Sequence, residues 1–151
     1  MERRGVLGLI AGAAAALGTA GAAFAADKVF TGLVAGVGAG GYDVVAYQSA
    51  NAAIPGDPAI EASHEGVRYR FASTRNRAAF QADPQKYLPR YGGYCAWAVS
   101  QGYTAKGDPK AWTVVDGRLY LNYSQSVRAQ WSRDIAGNVA KADANWPAVL
   151  D

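Results

Sequence analysis

The sequence is poor in the side chains that most often bind metals or cross-link a chain. Its 151 residues include one cysteine, one histidine and one methionine. One cysteine cannot form an internal disulfide, so packing alone must hold the fold together. A zinc site of four Cys and His ligands within one chain is excluded, and so is a methionine-rich copper site.

Charge is also scarce, and its two signs nearly balance. The chain has 15 Lys and Arg residues against 12 Asp and Glu residues, which gives a formal net charge of +3. The basic residues are scattered except for four arginines between residues 68 and 77, and alternating arginines are typical of the solvated face of a strand. We therefore expect no nucleic-acid partner.

The one long apolar run lies within residues 1–25 and has the pattern of a signal peptide. Arg3 and Arg4 precede an Ala/Gly-rich stretch, and Ala23-Phe24-Ala25 fits a cleavage site. The run is weakly hydrophobic, so we expect no stable membrane span after cleavage. Sec and twin-arginine export both remain open, and either route makes the mature chain periplasmic or secreted.

We expect residues 26–40 to form a flexible lead-in and residues 41–147 to form one domain without an internal repeat. Strong hairpin signals occur around Glu65-Gly66 and around Asp116-Gly117, where strand-like runs flank a turn. Helices are predicted over residues 75–82, after the cysteine, from Ser124 or Ser126 through Ile135, and from about Val139 to Pro147. This order predicts an α+β fold with a small antiparallel sheet of hairpins and short helices.

Cys95 is the first candidate for chemistry, because it follows the glycine pair Gly92 and Gly93 at the predicted start of a helix. Glycines allow positive φ angles and a close approach of the backbone to a ligand or another segment. A thiol in the first turn of a helix tends toward the reactive thiolate. Yet Cys95, Ala98 and Val99 also have the spacing of a core-facing stripe, so a buried cysteine is the alternative interpretation.

His64 is the second candidate, although a lone histidine beside Glu65 is more often a surface residue than a ligand. If it approached Cys95, imidazole and thiolate, with Asp43 or a tyrosine, would suit Cu(II), Zn(II) or haem iron. The same pair could act as base and nucleophile. No signal places a third catalytic group, so a non-enzymatic role is favoured.

Tyrosines concentrate around the glycine and cysteine segments and could line a pocket for a planar or cationic ligand. Their usual role is core packing with the hydroxyl at the edge, and that interpretation stays open. The candidate ligand-binding residues are Tyr42, Asp43, Tyr47, Tyr91, Gly92, Gly93 and Tyr94.

A series of short motifs follows in order along residues 41–147. Their order carries more information than any one of them. The motifs are Gly41-Tyr42-Asp43, Tyr69-Arg70-Phe71, Asp83-Pro84, Tyr91-Gly92-Gly93-Tyr94-Cys95-Ala96, Asp116-Gly117-Arg118-Leu119-Tyr120-Leu121 and Lys141-Ala142-Asp143-Ala144-Asn145-Trp146-Pro147. This series resembles exported bacterial YHS domain proteins. The chain departs from them at Val44, where members of the family often have proline.

The resemblance implies a treble-clef-related fold, an exported setting and a role with a metal or metal-containing cofactor. The paired cysteines of the metal-binding relatives are absent, and Cys95 matches the retained position after the glycines. By resemblance, Cys95 is then the main metal ligand, with His64 as a second, for copper, zinc or haem. A homodimer or a periplasmic partner could complete such a site.

Three functions therefore stay open, and access to the thiol separates them. The first is metal or metal-cofactor binding through Cys95. The second is a non-catalytic small-ligand or protein-binding module in which Cys95 is buried and structural. The third is a thiol enzyme or redox sensor.

Overall fold

The computed structural model describes residues 26–151, so the signal peptide expected at residues 1–25 lies outside the described residues. The described chain is α+β, as predicted, but its two antiparallel hairpins form separate two-stranded sheets rather than one sheet. The strands are β1 (Asp57–His64), β2 (Val67–Phe71), β3 (Asp108–Val115) and β4 (Arg118–Asn122). The helices are α1 (Ala46–Ser49), α2 (Thr74–Ala82), α3 (Pro84–Tyr87), α4 (Ala96–Ser100), α5 (Gln125–Trp131) and α6 (Ile135–Asn145).

Both hairpin predictions are confirmed. β1 pairs with β2 and β3 pairs with β4, each with antiparallel register. The residues at each turn, Glu65-Gly66 and Asp116-Gly117, all have positive φ angles between 50° and 83°. Such turns match the twist of the flanking strands, which is why these dipeptides specify hairpins.

The structure corrects the expectation that the chain lacks an internal repeat, because the same order of elements occurs twice. Each half consists of a 3-10 turn, a short helix, a hairpin and a capped helix. Three consecutive positive φ angles mark each turn, at residues 39–41 and again 52 positions later at residues 91–93. The first strand of each hairpin also opens with Asp-Pro and carries an irregularity before its fifth residue.

Serine caps the helix that follows each hairpin. The side chain of Ser73 accepts a hydrogen bond from the backbone N–H of Asn76, and Ser124 does the same for Val127, at 3.1 and 3.2 Å. Of the two starts that the sequence offered for the second helix, Ser124 and Ser126, the cap is Ser124. Capping by serine stabilises a helix by about 1 kcal/mol. The repeat escapes sequence comparison because the matched positions are mostly turn and cap residues.

The predicted single helix through Ile135 is wrong. α5 ends at Trp131, a 3-10 turn follows, and α6 begins at Ile135 rather than near Val139. The cause is Asp134, whose carboxylate accepts a hydrogen bond from the backbone N–H of Gly137 at 3.0 Å and so starts a new helix.

Each half has its own apolar cluster, and a third cluster joins the halves. Phe71 and Phe80 centre the first cluster, and Trp131 centres the second. Tyr47 of the first half packs with Leu119 and Leu121 of the second, and all three side chains are buried. The two halves are therefore held together by apolar contacts, although their hairpins share no strand pairing.

The segment 26–40, expected as a flexible lead-in, contacts the domain at several places. The backbone N–H of Phe30 donates to the carbonyl of Gly92 at 2.9 Å, and the Tyr94 hydroxyl donates to the carbonyl of Asp27 at 2.6 Å. A Cβ at Gly92 would lie 2.0 Å from the carbonyl oxygen of Lys28. The glycine pair thus allows close backbone approach, here to the lead-in.

We expect Gly92→Ala to lower the free energy of unfolding by at least about 2 kcal/mol, since positive φ strain adds to a backbone clash. Gly66→Ala is the matched control, because Gly66 also has positive φ but nothing lies within 4 Å of its added Cβ. Urea unfolding of both variants measures the difference. Equal losses would show that the contact with Lys28 does not constrain residue 92.

Candidate functional site

Asp43 is a fully buried carboxylate that closes the first half. Its Oδ1 accepts hydrogen bonds from the backbone N–H groups of Val45 and Ala46, at 2.9 and 3.2 Å. Its Oδ2 accepts from the N–H of Ala72, just after β2, and from the Asn76 side chain, both at 2.8 Å. Four donors satisfy the buried charge, so Asp43 ties the start of the first half to its hairpin and helix.

Cys95 occupies the corresponding place in the second half. Its Sγ accepts hydrogen bonds from the N–H of Ala98, at 3.5 Å, and from the N–H of Tyr123, at 3.3 Å. Ala98 corresponds to Ala46, and Tyr123, just after β4, corresponds to Ala72. The thiol therefore caps α4 and ties it to the end of the second hairpin.

Asn122 accepts the hydrogen bond from the backbone N–H of Trp97, which the Cys95 sulfur does not accept. Its Oδ1 accepts from the N–H of Trp97 at 3.0 Å and lies 3.5 Å from the Cys95 Sγ. Trp97 corresponds to Val45, whose N–H is bound by Asp43 in the first half. Cys95 and Asn122 together thus do what one carboxylate does in the other half.

The thiol is shielded and its surroundings do not fit a metal. Cys95 is 1% exposed, and burial raises the pKa of its thiol despite the hydrogen bonds from the backbone N–H groups of Ala98 and Tyr123. Backbone N–H groups cannot ligate a cation. Among residues 26–151, no three His, Cys, Asp or Glu side chains are grouped closely enough to hold a metal ion. The residues around Cys95 therefore do not form the multi-ligand set that a copper or zinc ion needs.

His64 lies in a different environment from Cys95. Its Nε2 is 3.1 Å from the Glu65 carboxylate without hydrogen-bond geometry, and that nitrogen is buried without a hydrogen-bond partner in the described chain. The ring stands edge-on to Phe80, with centroids 6.0 Å apart. His64 borders a cleft that does not include Cys95. The two residues share no contact, and the side-chain partner of Cys95 is Asn122.

The cleft has a volume of about 700 Å³ and is formed by four separate segments. These are the lead-in, the β1–β2 turn, residues 85–92 and the end of α6. Its walls combine apolar and aromatic side chains with ionisable ones. The ionisable groups other than tyrosine are Asp27, Lys28, His64, Glu65, Arg90 and Asp143.

Of the predicted ligand-binding residues, Tyr91 and Gly92 border this cleft together with His64. The Tyr91 hydroxyl donates a hydrogen bond to the Asp143 carboxylate at 2.9 Å. Burial is the larger cause of the raised pKa of this hydroxyl, and the neighbouring carboxylate is the second. Tyr69, which the sequence did not single out, also borders the cleft, and burial raises its pKa to about 12. Both hydroxyls stay protonated and uncharged at neutral pH.

The other predicted ligand-binding residues do not border the cleft. Tyr47 donates its hydroxyl to the carbonyl of Pro109 at 2.7 Å, and burial raises its pKa. Tyr94 packs against Phe30, and burial also raises its pKa. Tyr42 pairs with Pro55, while Asp43 and Gly93 are buried. The tyrosine-rich stretches are thus mainly structural.

Sequence reasoning missed Arg90, Glu65 and Asp143 as cleft residues. Asp143 lies in the last of the ordered motifs, and Arg90 directly precedes Tyr91, so both positions had a local signal. Nothing in the sequence indicates that the two would face one cavity, because that depends on how α6 packs beside the second 3-10 turn.

No known protein family, curated protein or solved structure matched this chain. Over residues 26–151, no helix combines the length and apolar character needed to cross a bilayer.

We expect Asp43→Asn to destabilise the protein by about 2–3 kcal/mol, because the new amide meets N–H donors that need an acceptor. Asp57→Asn is the matched control, since exposed Asp57 accepts one hydrogen bond, from Ala59. Chemical denaturation measures both changes. Similar small losses for the two variants would contradict a structural role for Asp43.

The raised thiol pKa predicts a pH effect on stability. The folded state holds the thiol proton more tightly than the unfolded state, so this contribution is complete below the ordinary thiol pKa and is lost as pH rises through the folded value. The stability of wild type relative to Cys95→Ser should therefore fall as pH rises above the ordinary thiol pKa of about 8.5. The tyrosines titrate in both proteins, so their effect cancels.

A difference in stability that does not change over this pH range would contradict the prediction. So would thiolate absorbance of the folded wild type at pH 7, because a thiolate there requires a lowered pKa.

Proposed function

We propose that this chain is an exported, non-catalytic ligand-binding protein related to YHS domains, and that its small organic ligand occupies the cleft beside His64 and Tyr91. The observation that carries the proposal is the cleft itself, which four segments enclose at about 700 Å³. Sites for small molecules commonly have volumes of about 300–1,000 Å³ and combine apolar walls with a few polar groups.

The lining supports binding of a partly apolar molecule. Val29, Val67, Leu88 and Trp146 offer apolar surface, and contact with such surface favours transfer of apolar groups from water. The uncharged hydroxyl of Tyr91 offers a polar contact at the cleft wall. A ligand held in this way needs neither nucleic acid nor a second copy of the chain.

The structural role of Cys95 supports this function over metal binding or thiol chemistry. The thiol already accepts two backbone hydrogen bonds, and the same acceptor role falls to Asp43 in the other half. A buried thiol with a raised pKa is a poor nucleophile at neutral pH. The cysteine is therefore explained without assigning it a reaction.

The neutral dye N-phenyl-1-naphthylamine should bind the wild type with increased fluorescence, because the cleft offers it apolar walls. Gln85→Trp should weaken binding about tenfold by narrowing the cleft, a change of about 1.4 kcal/mol. Gln81→Trp is the matched control, since both glutamines are exposed and only Gln85 borders the cleft. Fluorescence titration of the three proteins provides the measurement.

Two results would overturn the proposal. The first is the absence of dye binding, or equal weakening by the two tryptophan variants. The second is stoichiometric copper, zinc or haem in the purified protein that disappears in Cys95→Ser, since that result would return the function to the thiol.

A further inference from the structure

A second, smaller cavity lies beside the cleft. It has a volume of about 220 Å³ and is called the basic groove here, after its lining by Lys86, Arg90 and Arg118. Gln85, Leu88 and Arg90 border both cavities, so the two lie side by side. Arg90 stands at their junction.

Charge is distributed unequally between the two cavities. The basic groove has three cationic side chains and one carboxylate, that of Asp116. The other carboxylates, those of Asp27, Glu65 and Asp143, border the cleft and not the groove. The cleft also has the cations Lys28 and Arg90, so its charges nearly balance, whereas those of the groove do not. An anionic group is therefore attracted more strongly to the groove than to the cleft, which orients a molecule that spans both.

The basic groove has a braced wall. The side-chain amide of Gln48 donates to the carbonyl of Lys86 at 2.9 Å and to the carbonyl of Gly117 at 3.2 Å. It thus connects α3 to the β3–β4 turn, which carry the groove residues on either side. The Lys86 ammonium lies 5.4 Å from the ring centre of Tyr87, which leaves the two arginines as the main donors.

Arg90 also acts on the cleft. It borders the cleft directly before Tyr91, and its positive charge opposes the rise in the pKa of the Tyr91 hydroxyl. A guanidinium offers several N–H donors in a planar fork that matches a carboxylate, phosphate or sulfonate. Arg90 can therefore bind an anionic group in the groove while the rest of the molecule stays in the cleft.

We propose that the ligand is an amphipathic organic anion, with its apolar body in the cleft and its anionic group in the basic groove between Arg90 and Arg118. This inference rests on the proposed function, because it requires the cleft to be a binding site. It adds the charge of the ligand and the direction in which the ligand lies.

The test compares two dyes with the same ring system. 1-Anilinonaphthalene-8-sulfonate carries an anionic group, and N-phenyl-1-naphthylamine lacks it. The wild type should bind the sulfonate about tenfold more tightly, since the guanidinium groups form charge-assisted hydrogen bonds with it. Raising the salt concentration should weaken binding of the sulfonate and leave the neutral dye unchanged.

Arg90→Gln and Arg118→Gln should each weaken sulfonate binding about five- to tenfold. Arg118 borders the groove and not the cleft, so Arg118→Gln should change binding of the neutral dye less than twofold. Arg133→Gln is the control for loss of one positive charge, because Arg133 is also exposed and borders neither cavity. It should bind both dyes as the wild type does.

The outcomes separate the two proposals. If both dyes bind equally, or if Arg90→Gln and Arg133→Gln behave alike, the anionic ligand is refuted while the cleft remains a binding site. If neither dye binds, the proposed function fails and this inference fails with it.

Discussion

The structure depends on how each half satisfies the backbone N–H groups that meet where its short helix begins beside the end of its hairpin. In the first half the Asp43 carboxylate accepts from the helix start and from Ala72. In the second half the thiol of Cys95 and the amide oxygen of Asn122 divide the same task. A buried N–H without an acceptor costs about 1–3 kcal/mol, so these contacts hold turn, helix and hairpin together.

This requirement changes the interpretation of the single cysteine. After a glycine pair in a chain expected to be exported, Cys95 has the sequence setting of a ligand or nucleophile. Its surroundings are those of an N-cap, with backbone donors directed at sulfur and almost no exposed surface. Sulfur is a weak acceptor, which is consistent with Asn122 providing the additional acceptor.

The cleft lies mainly where the likeness between the halves ends. Its lead-in wall precedes the first half, and its α6 wall follows the second, so neither has a counterpart. Gly92 connects the lead-in to the second half, because the lead-in hydrogen-bonds to its carbonyl and passes where a side chain would otherwise stand. The repeated turns, hairpins and caps thus form a framework, and the segments added to it form the candidate site.

The sequence by itself determined the parts whose causes are local. The turns at Glu65-Gly66 and Asp116-Gly117 and the caps at Ser73 and Ser124 depend on residues within a few positions of one another, so their patterns predict them. Tertiary structure alone decided the repeat, the role of Cys95 and the cleft. Cys95 meets Asn122 across 27 positions, and Tyr91 meets Asp143 across 52. Such contacts arise from the packing of whole elements, which local patterns do not encode.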